Sequence, residues 1–206
     1  FFTANTALRT LASIQPGERA LLHAGGSGIG IAGIQIAKVF GAEVWITAGS
    51  DEKCQRAAEL GADVTINYRE QDFVEAVRSG TDGNGMDVIL DVIGADYWQR
   101  NLDSLAPGGR LVLVGLMGGL AAEVNLGQIL SRRLQVFGTV MRSRPLDARA
   151  QITRDFQADL EPALVDGRMC TVIDKVFPLR EAAEAHRYME ANQNFGKIVL
   201  DVAGGS

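Results

Sequence analysis

Apolar and polar positions along the chain alternate between two periods. Residues 19–24 form a short, mostly apolar run of the kind required of a strand buried on both faces. A glycine-rich stretch follows. Then Ile29, Ile31, Ala32, Ile34, Ile36, Ala37, Val39 and Phe40 predict a helix apolar nearly all round, closed by Gly41. The alternation repeats downstream. Strands are predicted at 43–47, 64–66, 86–91, 110–114 and 134–140, and helices at 51–60, 72–78 and 97–105. Residues 81–85 and 106–109 read as turns by their Asn, Asp, Pro and Gly content. A short helix is expected at 3–13, ahead of a turn at 15–18. Strands alternating with helices at this spacing mean βαβ units, hence the α/β class with a doubly wound parallel sheet of about six strands.

The rhythm changes after residue 142. A long helix is predicted at 148–165, with Pro162 expected to end or kink its last part. A strand at 172–177, a helix at 180–190 and a strand at 197–202 complete a βαβ-like tail. These elements follow six strands that already suffice for a sheet. The chain is therefore divided into 1–142 and 143–206, and the tail is expected to pack against something else.

The turn from His23 to Gly30 carries the first chemical signal. A pyrophosphate needs backbone N–H groups and the positive end of a helix dipole, and side chains would block its approach. The GxGxxG fingerprint between strand and helix maps onto Gly25, Ser27 and Gly30, with Gly28 and Ile29 inside the turn. Ser27 replaces the second glycine and can donate through its hydroxyl. A lone glycine motif is a weak signal, and a tight turn without a ligand is its plain alternative. A buried strand before it and an apolar helix after it make the reading a Rossmann dinucleotide site.

The end of the second strand selects the dinucleotide. An Asp or Glu there would accept from a ribose 2′-OH, but the chain has Ala48-Gly49-Ser50. Gly49 and Ser50 leave room for a 2′-phosphate, and Lys53 can supply charge one helical turn on. Asp51 is either a displaced ribose-binding acid or an anion in the first turn of a helix capped by Ser50; the second reading is favoured. The cofactor expected is NADP(H).

Composition narrows the class without changing it. The 206 residues suffice for one α/β domain with a full core, and 47% hydrophobic with 22% charged residues sets disorder aside. A net charge of -5 argues against general nucleic-acid binding, though not against a phosphate ligand. No apolar run is long enough for a membrane span, and no signal peptide is read at Phe1 to Asn5. The chain lacks an initiator Met and is expected to be cut from something longer. Cys54 and Cys170 stand far apart with no metal-ligand spacing, so the expectation is no metal and a reducing, cytoplasmic setting.

Several motifs together resemble one family. The turn His23 to Gly30, the segment Thr47-Ala48-Gly49-Ser50 with Lys53, and Asn67-Tyr68 match its pattern. So do Leu90-Asp91-Val92-Ile93-Gly94, Gly115-Leu116-Met117-Gly118, and the ending from Glu190-Ala191-Asn192 to Gly196-Lys197-Ile198-Val199-Leu200. The chain resembles the quinone oxidoreductase branch of the medium-chain dehydrogenase/reductase superfamily, most of all the zeta-crystallin-like, stress-inducible NADPH quinone oxidoreductases. That resemblance implies an NADPH-dependent reductase of quinones or other α,β-unsaturated carbonyls. It implies that Ser50, Lys53 and Tyr68 hold the 2′-phosphate. The loops at Ile93-Gly94 and Leu116-Met117 would line the nicotinamide side, and Asn194 would touch cofactor. Thr3 matches a residue beside the nicotinamide. The edge strand at 134–140 would pair into a homodimer, as an unpaired apolar edge invites. Family members carry an N-terminal catalytic domain before the point matching Phe1. The tail would return to that domain, and this part alone would bind nucleotide better than it turns over.

No catalytic residue is nominated, because hydride transfer from nicotinamide needs orientation and exclusion of water more than an acid or base. His23 and His186 read as satisfied core histidines, and Asp87 and Asp91 as solvated or hydrogen-bonded structural acids. Tyr68 matches the adenosine end, too far from the chemistry to act as an acid. Gly118-Gly119 is either a plain loop or part of the cofactor mouth, with its place after a strand favouring the mouth. Lys197 is left open between a strand-edge cation and a ligand contact. Zinc-dependent alcohol dehydrogenases share the superfamily, but their ligands would fall ahead of Phe1, so their absence discriminates nothing. Two alternatives remain: the enoyl reductase domain of a polyketide or fatty acid synthase, and a non-catalytic NADPH-binding module.

Overall fold

The computed structural model describes residues 1–202, so the last four residues of the predicted tail lie outside the described residues. Chain order is α1 (Phe2–Asn5), continued by a π-helical stretch Thr6–Leu11, then β1 (Arg19–Leu22), α2 (Gly28–Val39), β2 (Glu43–Ala48), α3 (Asp51–Glu59) and β3 (Val64–Asn67). Next come α4 (Phe73–Gly80), β4 (Met86–Asp91), a 3-10 turn (Ala95–Tyr97), α5 (Trp98–Ser104), β5 (Leu105–Leu113), α6 (Leu126–Arg132) and β6 (Gln135–Gly138). Helix α7 (Leu146–Val165), β7 (Ile173–Pro178), a 3-10 turn (Leu179–Glu181), α8 (Ala182–Glu190) and β8 (Lys197–Asp201) complete it.

Six strands form one parallel sheet in the order β3-β2-β1-β4-β5-β6, the Rossmann order. Both faces are covered, which explains the continuous apolar runs. Ala20 and Leu22 of β1 join a cluster with Leu8, Ile34 and Phe156, whereas Leu21 between them packs with Phe73, Val77 and Leu102. Helix α7 belongs to the first cluster through Phe156, Leu160 and Ala163. Strands β7 and β8 form a separate two-stranded parallel sheet, linked by α8.

Three local expectations are corrected. Helix α7 runs through Pro162 to Val165, because Asp166 N still donates to the Pro162 carbonyl at 3.0 Å and keeps the last turn closed. The turn at 106–109 lies inside β5: the register jumps from Met86↔Leu105 to Val88↔Arg110, so the ladder bypasses it, with Gly108 at φ +81°. Helix α6 was not predicted. None of its residues is buried, so it leaves no apolar periodicity; its one signal is the cap, where Asn125 Oδ1 accepts from Gln128 N at 3.2 Å.

Candidate cofactor cleft

The carboxyl ends of β1, β2 and β4 converge on a cavity of about 870 Å³, where the strand order reverses between β1 and β4. Its floor is the glycine turn. Ser27 caps α2, its Oγ accepting from Gly30 N at 3.0 Å, which leaves the hydroxyl proton free to donate outward. Gly25 and Gly30 do not line the cavity; they make the turn possible. A Cβ at Gly25 would stand 2.8 Å from Ile46 Cβ, and one at Gly30 would collide with the Ala24 carbonyl. A Cβ at Gly28 would strike the Lys197 ammonium, so a cation lies over the N-terminus of α2. The cradle is therefore electropositive from its backbone, its helix dipole and one lysine.

At the β2 end, Gly49, Lys53 and Tyr68 line the cavity. Gly49 lets the Tyr68 hydroxyl approach the backbone, since a Cβ there would sit 2.6 Å from Tyr68 Oη and displace it. Ser50 lies just outside it and caps α3, its Oγ accepting from Lys53 N at 3.3 Å. Asp51 accepts from Asn67 Nδ2 at 2.9 Å, tying the start of α3 to the end of β3. Lys53 Nζ donates to the carbonyl of Asn192 at 2.6 Å and to its Oδ1 at 2.9 Å.

The opposite end is apolar: Val92, Ile93 and Met117 line it, with Met117 80% exposed. Its shape is fixed by Asp91, buried at the end of β4, whose carboxylate accepts from Ile93 N at 2.7 Å and Gly94 N at 3.0 Å. Burial raises the Asp91 pKa, and the two N–H bonds oppose that rise. Gly94 at φ +85° closes the turn and packs on Leu116, which lines a neighbouring hollow of about 160 Å³. Gly118 N donates to the Ile93 carbonyl at 2.7 Å and joins the two loops. Asn194 lines the cavity, and Gly196 N donates to the Gly26 carbonyl at 2.9 Å, which draws the tail onto the glycine turn. Thr3, on α1, does not line it.

His23 is fully buried, Nδ1 paired with Thr47 Oγ1 at 2.9 Å and Nε2 with Asn101 Oδ1 at 2.7 Å. Burial pushes its pKa down to about 4. Since Asn101 Oδ1 only accepts, Nε2 carries the proton and Nδ1 accepts from Thr47. Asp87 accepts from Arg19 N at 2.8 Å, also a structural bond. Tyr97 and Thr47 line the cleft although the sequence did not single them out as ligand groups, and Lys197, open in the sequence between a strand-edge cation and a ligand contact, lines it too. Of the three only Lys197 carried a signal, its charge near a strand start, and nothing local said that β8 would return to α2.

A family model described as zinc-binding dehydrogenase matches residues 28–158. The chain belongs to this dehydrogenase family. Within it, the expected likeness to quinone oxidoreductases holds. The chain is 37% identical over 203 residues to a 2-haloacrylate reductase of Burkholderia sp, covering 96% of this chain and 60% of that one. It is 33% identical over 200 residues to quinone oxidoreductase 1 of Escherichia coli (strain K12), covering 94% and 59%. Among solved structures, an NAD-dependent alcohol dehydrogenase superposes with a TM-score of 0.85 at 37% identity, covering 98% of this chain and 56% of that one. The chain thus spans about three fifths of the length of these two curated relatives. Of the three proteins, only the alcohol dehydrogenase is named with a cofactor, NAD. The family description names zinc, but among the described residues no three His, Cys, Asp or Glu side chains converge as a metal site. No helix among the described residues is long and apolar enough to cross a membrane.

Proposed function

We propose that this chain is the NADP(H)-binding part of a reductase that transfers hydride from NADPH to a quinone or another α,β-unsaturated carbonyl. The observation that carries the reading is the polarity of one continuous cavity. Lys53, Tyr68 and Lys197 stand with the glycine turn, and an apolar wall of Val92, Ile93 and Met117 stands on the far side. The cradle fits a pyrophosphate because side chains are excluded at Gly25, Gly28 and Gly30, and because Ser27 Oγ–H, α2 and Lys197 favour an anion. Gly49 and Ser50 leave the adenosine ribose free of a repelling acid, and Lys53 and Tyr68 flank the space for a 2′-phosphate.

The chemistry supplied at this site by NADPH is a hydride from nicotinamide C4, a solvent proton completing reduction of the acceptor. The chain's own part is to orient and to exclude water. Asp91 fixes Ile93 and Gly94, and the apolar loop residues form the wall against which a planar ring would lie. Leu116 backs that wall from behind Gly94, and Asn194 borders the cavity from the tail. Thr3 is assigned no contact.

The remaining readings belong to the whole protein. The tail β7-α8-β8 carries exposed Ile173, Val176 and Val202, which suits packing against a further, N-terminal domain of the same enzyme. Strand β6 is a sheet edge with Val136 partly exposed, suited to pairing with a second copy. Both cysteines are free, in keeping with a reducing cytoplasm.

The test has two parts. In fluorescence titrations Lys53→Ala should weaken NADPH about tenfold or more and leave NADH nearly unchanged; equal losses refute the 2′-phosphate assignment. NADPH absorbance loss should accelerate with a quinone or enone. Acceleration only by acyl thioesters would point to a synthase enoyl reductase, and binding without oxidation to a non-catalytic module.

A further inference from the structure

Lys53 is held in place by a part of the chain remote from the glycine motif. Its backbone N–H is bonded by the Ser50 cap, and its aliphatic stem lies over Gly26, where a Cβ would come within 3.2 Å of Lys53 Cδ. Its ammonium, however, is gripped by a single residue 139 positions away: both Asn192 oxygens, main-chain at 2.6 Å and side-chain at 2.9 Å, accept from Nζ. Asn192 follows α8 at φ +52°, a left-handed conformation that Asn tolerates better than most residues. Its own N–H donates to the Met189 carbonyl at 2.9 Å, which pins it to the helix end. The negative end of the α8 dipole also lies on this side, favouring an ammonium.

These contacts fix Lys53 without cancelling its charge. Both partners are neutral oxygens, and two of three ammonium protons are used, so one is left for an anion. Burial lowers the Lys53 pKa from its ordinary value, and the surrounding charges are mixed: Asp174 and Glu52 favour the protonated lysine, while Arg69 and Arg56 oppose it. Lys53 and Asn192 line the same cavity as Tyr68 and Gly49. A free lysine would lose much rotamer freedom on meeting a phosphate, whereas one already held loses little.

We infer that Asn192 is a specificity-determining positioning residue, which holds the Lys53 ammonium at the cavity rim for the phosphate on the adenosine ribose of NADP(H). This rests on the NADP(H) reading above. It makes cofactor choice a joint property of the sheet domain and the tail.

Two substitutions in the whole protein separate this role from a structural one. Asn192→Gly keeps the left-handed backbone and the carbonyl contact but removes Oδ1. Asn192→Asp keeps size and conformation but sets a carboxylate against Lys53, neutralising it and repelling a phosphate. Titrated by fluorescence, NADPH affinity should fall about threefold to tenfold for Asn192→Gly and about thirtyfold or more for Asn192→Asp, with NADH changed less than about twofold. Equal losses for both nucleotides would overturn the inference, as would tighter NADPH binding by Asn192→Gly, which would make Asn192 a competitor of the phosphate. Lys53→Ala is run alongside: if it fails to discriminate NADPH from NADH, the NADP(H) reading itself falls and the inference with it. If Lys53→Ala discriminates and the Asn192 variants do not, only the inference falls.

Discussion

Acidification should destabilise this fold through His23, and the size of the effect follows from its burial. The imidazole is inaccessible to solvent and bonded on both nitrogens, with Nε2–H donating to Asn101 and Nδ1 accepting from Thr47. A second proton on Nδ1 would reverse the Thr47 bond, making the hydroxyl the acceptor, and place a charge in the core. Burial is the main cause of its lowered pKa; the Asn101 bond opposes the shift and the Arg100 charge adds to it. Unfolded, the group titrates near 6.5, whereas folded it titrates at about 4. Between those values the unfolded chain binds the extra proton, so the contribution is complete above 6.5 and declines as pH falls toward 4. At about 1.4 kcal/mol per pH unit the gap amounts to about 3 kcal/mol, with about 2 kcal/mol lost by pH 5. Asp91 acts in the opposite sense, since its raised pKa favours the folded state as its carboxyl protonates. Comparison of wild type with His23→Gln cancels that term. Guanidinium unfolding at pH 7.5, 6 and 5 should show wild type losing about 2 kcal/mol more than the variant. Equal pH slopes, or the His23 imidazole resonance titrating near 6.5 in the folded protein, would refute the reasoning.

Other perturbations discriminate equally well. Gly30→Ala drives a methyl into the backbone of Ala24 and Gly25, which cannot yield, and should cost about 2–3 kcal/mol and lower Tm by several degrees. Gly33→Ala in the same helix meets only the end of Leu22, at 3.1 Å, and gains helix propensity; its Tm should move by no more than about 3 °C. Lys197→Ala should weaken NADPH and NADH alike, by about tenfold each, since both carry the pyrophosphate; a loss confined to NADPH would move Lys197 to the 2′-phosphate. Val136→Pro removes a donor from the exposed edge β6 and should convert a dimer to monomers by light scattering.

Much of the architecture is legible in the chain because it is written locally. The central strands of the main sheet are buried on both faces, so β1, β2 and β4 are nearly continuous apolar runs. The turn beginning at Gly25 follows from sterics between adjacent elements: a Cβ on Gly30 would meet the backbone of Ala24 and Gly25, six and five residues earlier. Ser27, Ser50 and Asp72 announce their caps within three residues. Helix α6 escaped because it buries nothing, and the bypassed turn in β5 because a ladder depends on its partner strand.

The tertiary structure decided what distance along the chain conceals. Which sides of the cavity meet is set by strand order, which brings β4 beside β1 and places Ile93 opposite Lys53. His23 joins Thr47 and Asn101 only because β1, β2 and α5 pack together. Above all, the tail folds back so that Lys197 lies over Gly28 and Asn192 grips Lys53. No periodicity or local spacing encodes those meetings. Polar contacts between residues more than a hundred positions apart arise only after burial of the apolar faces has fixed where each element stands.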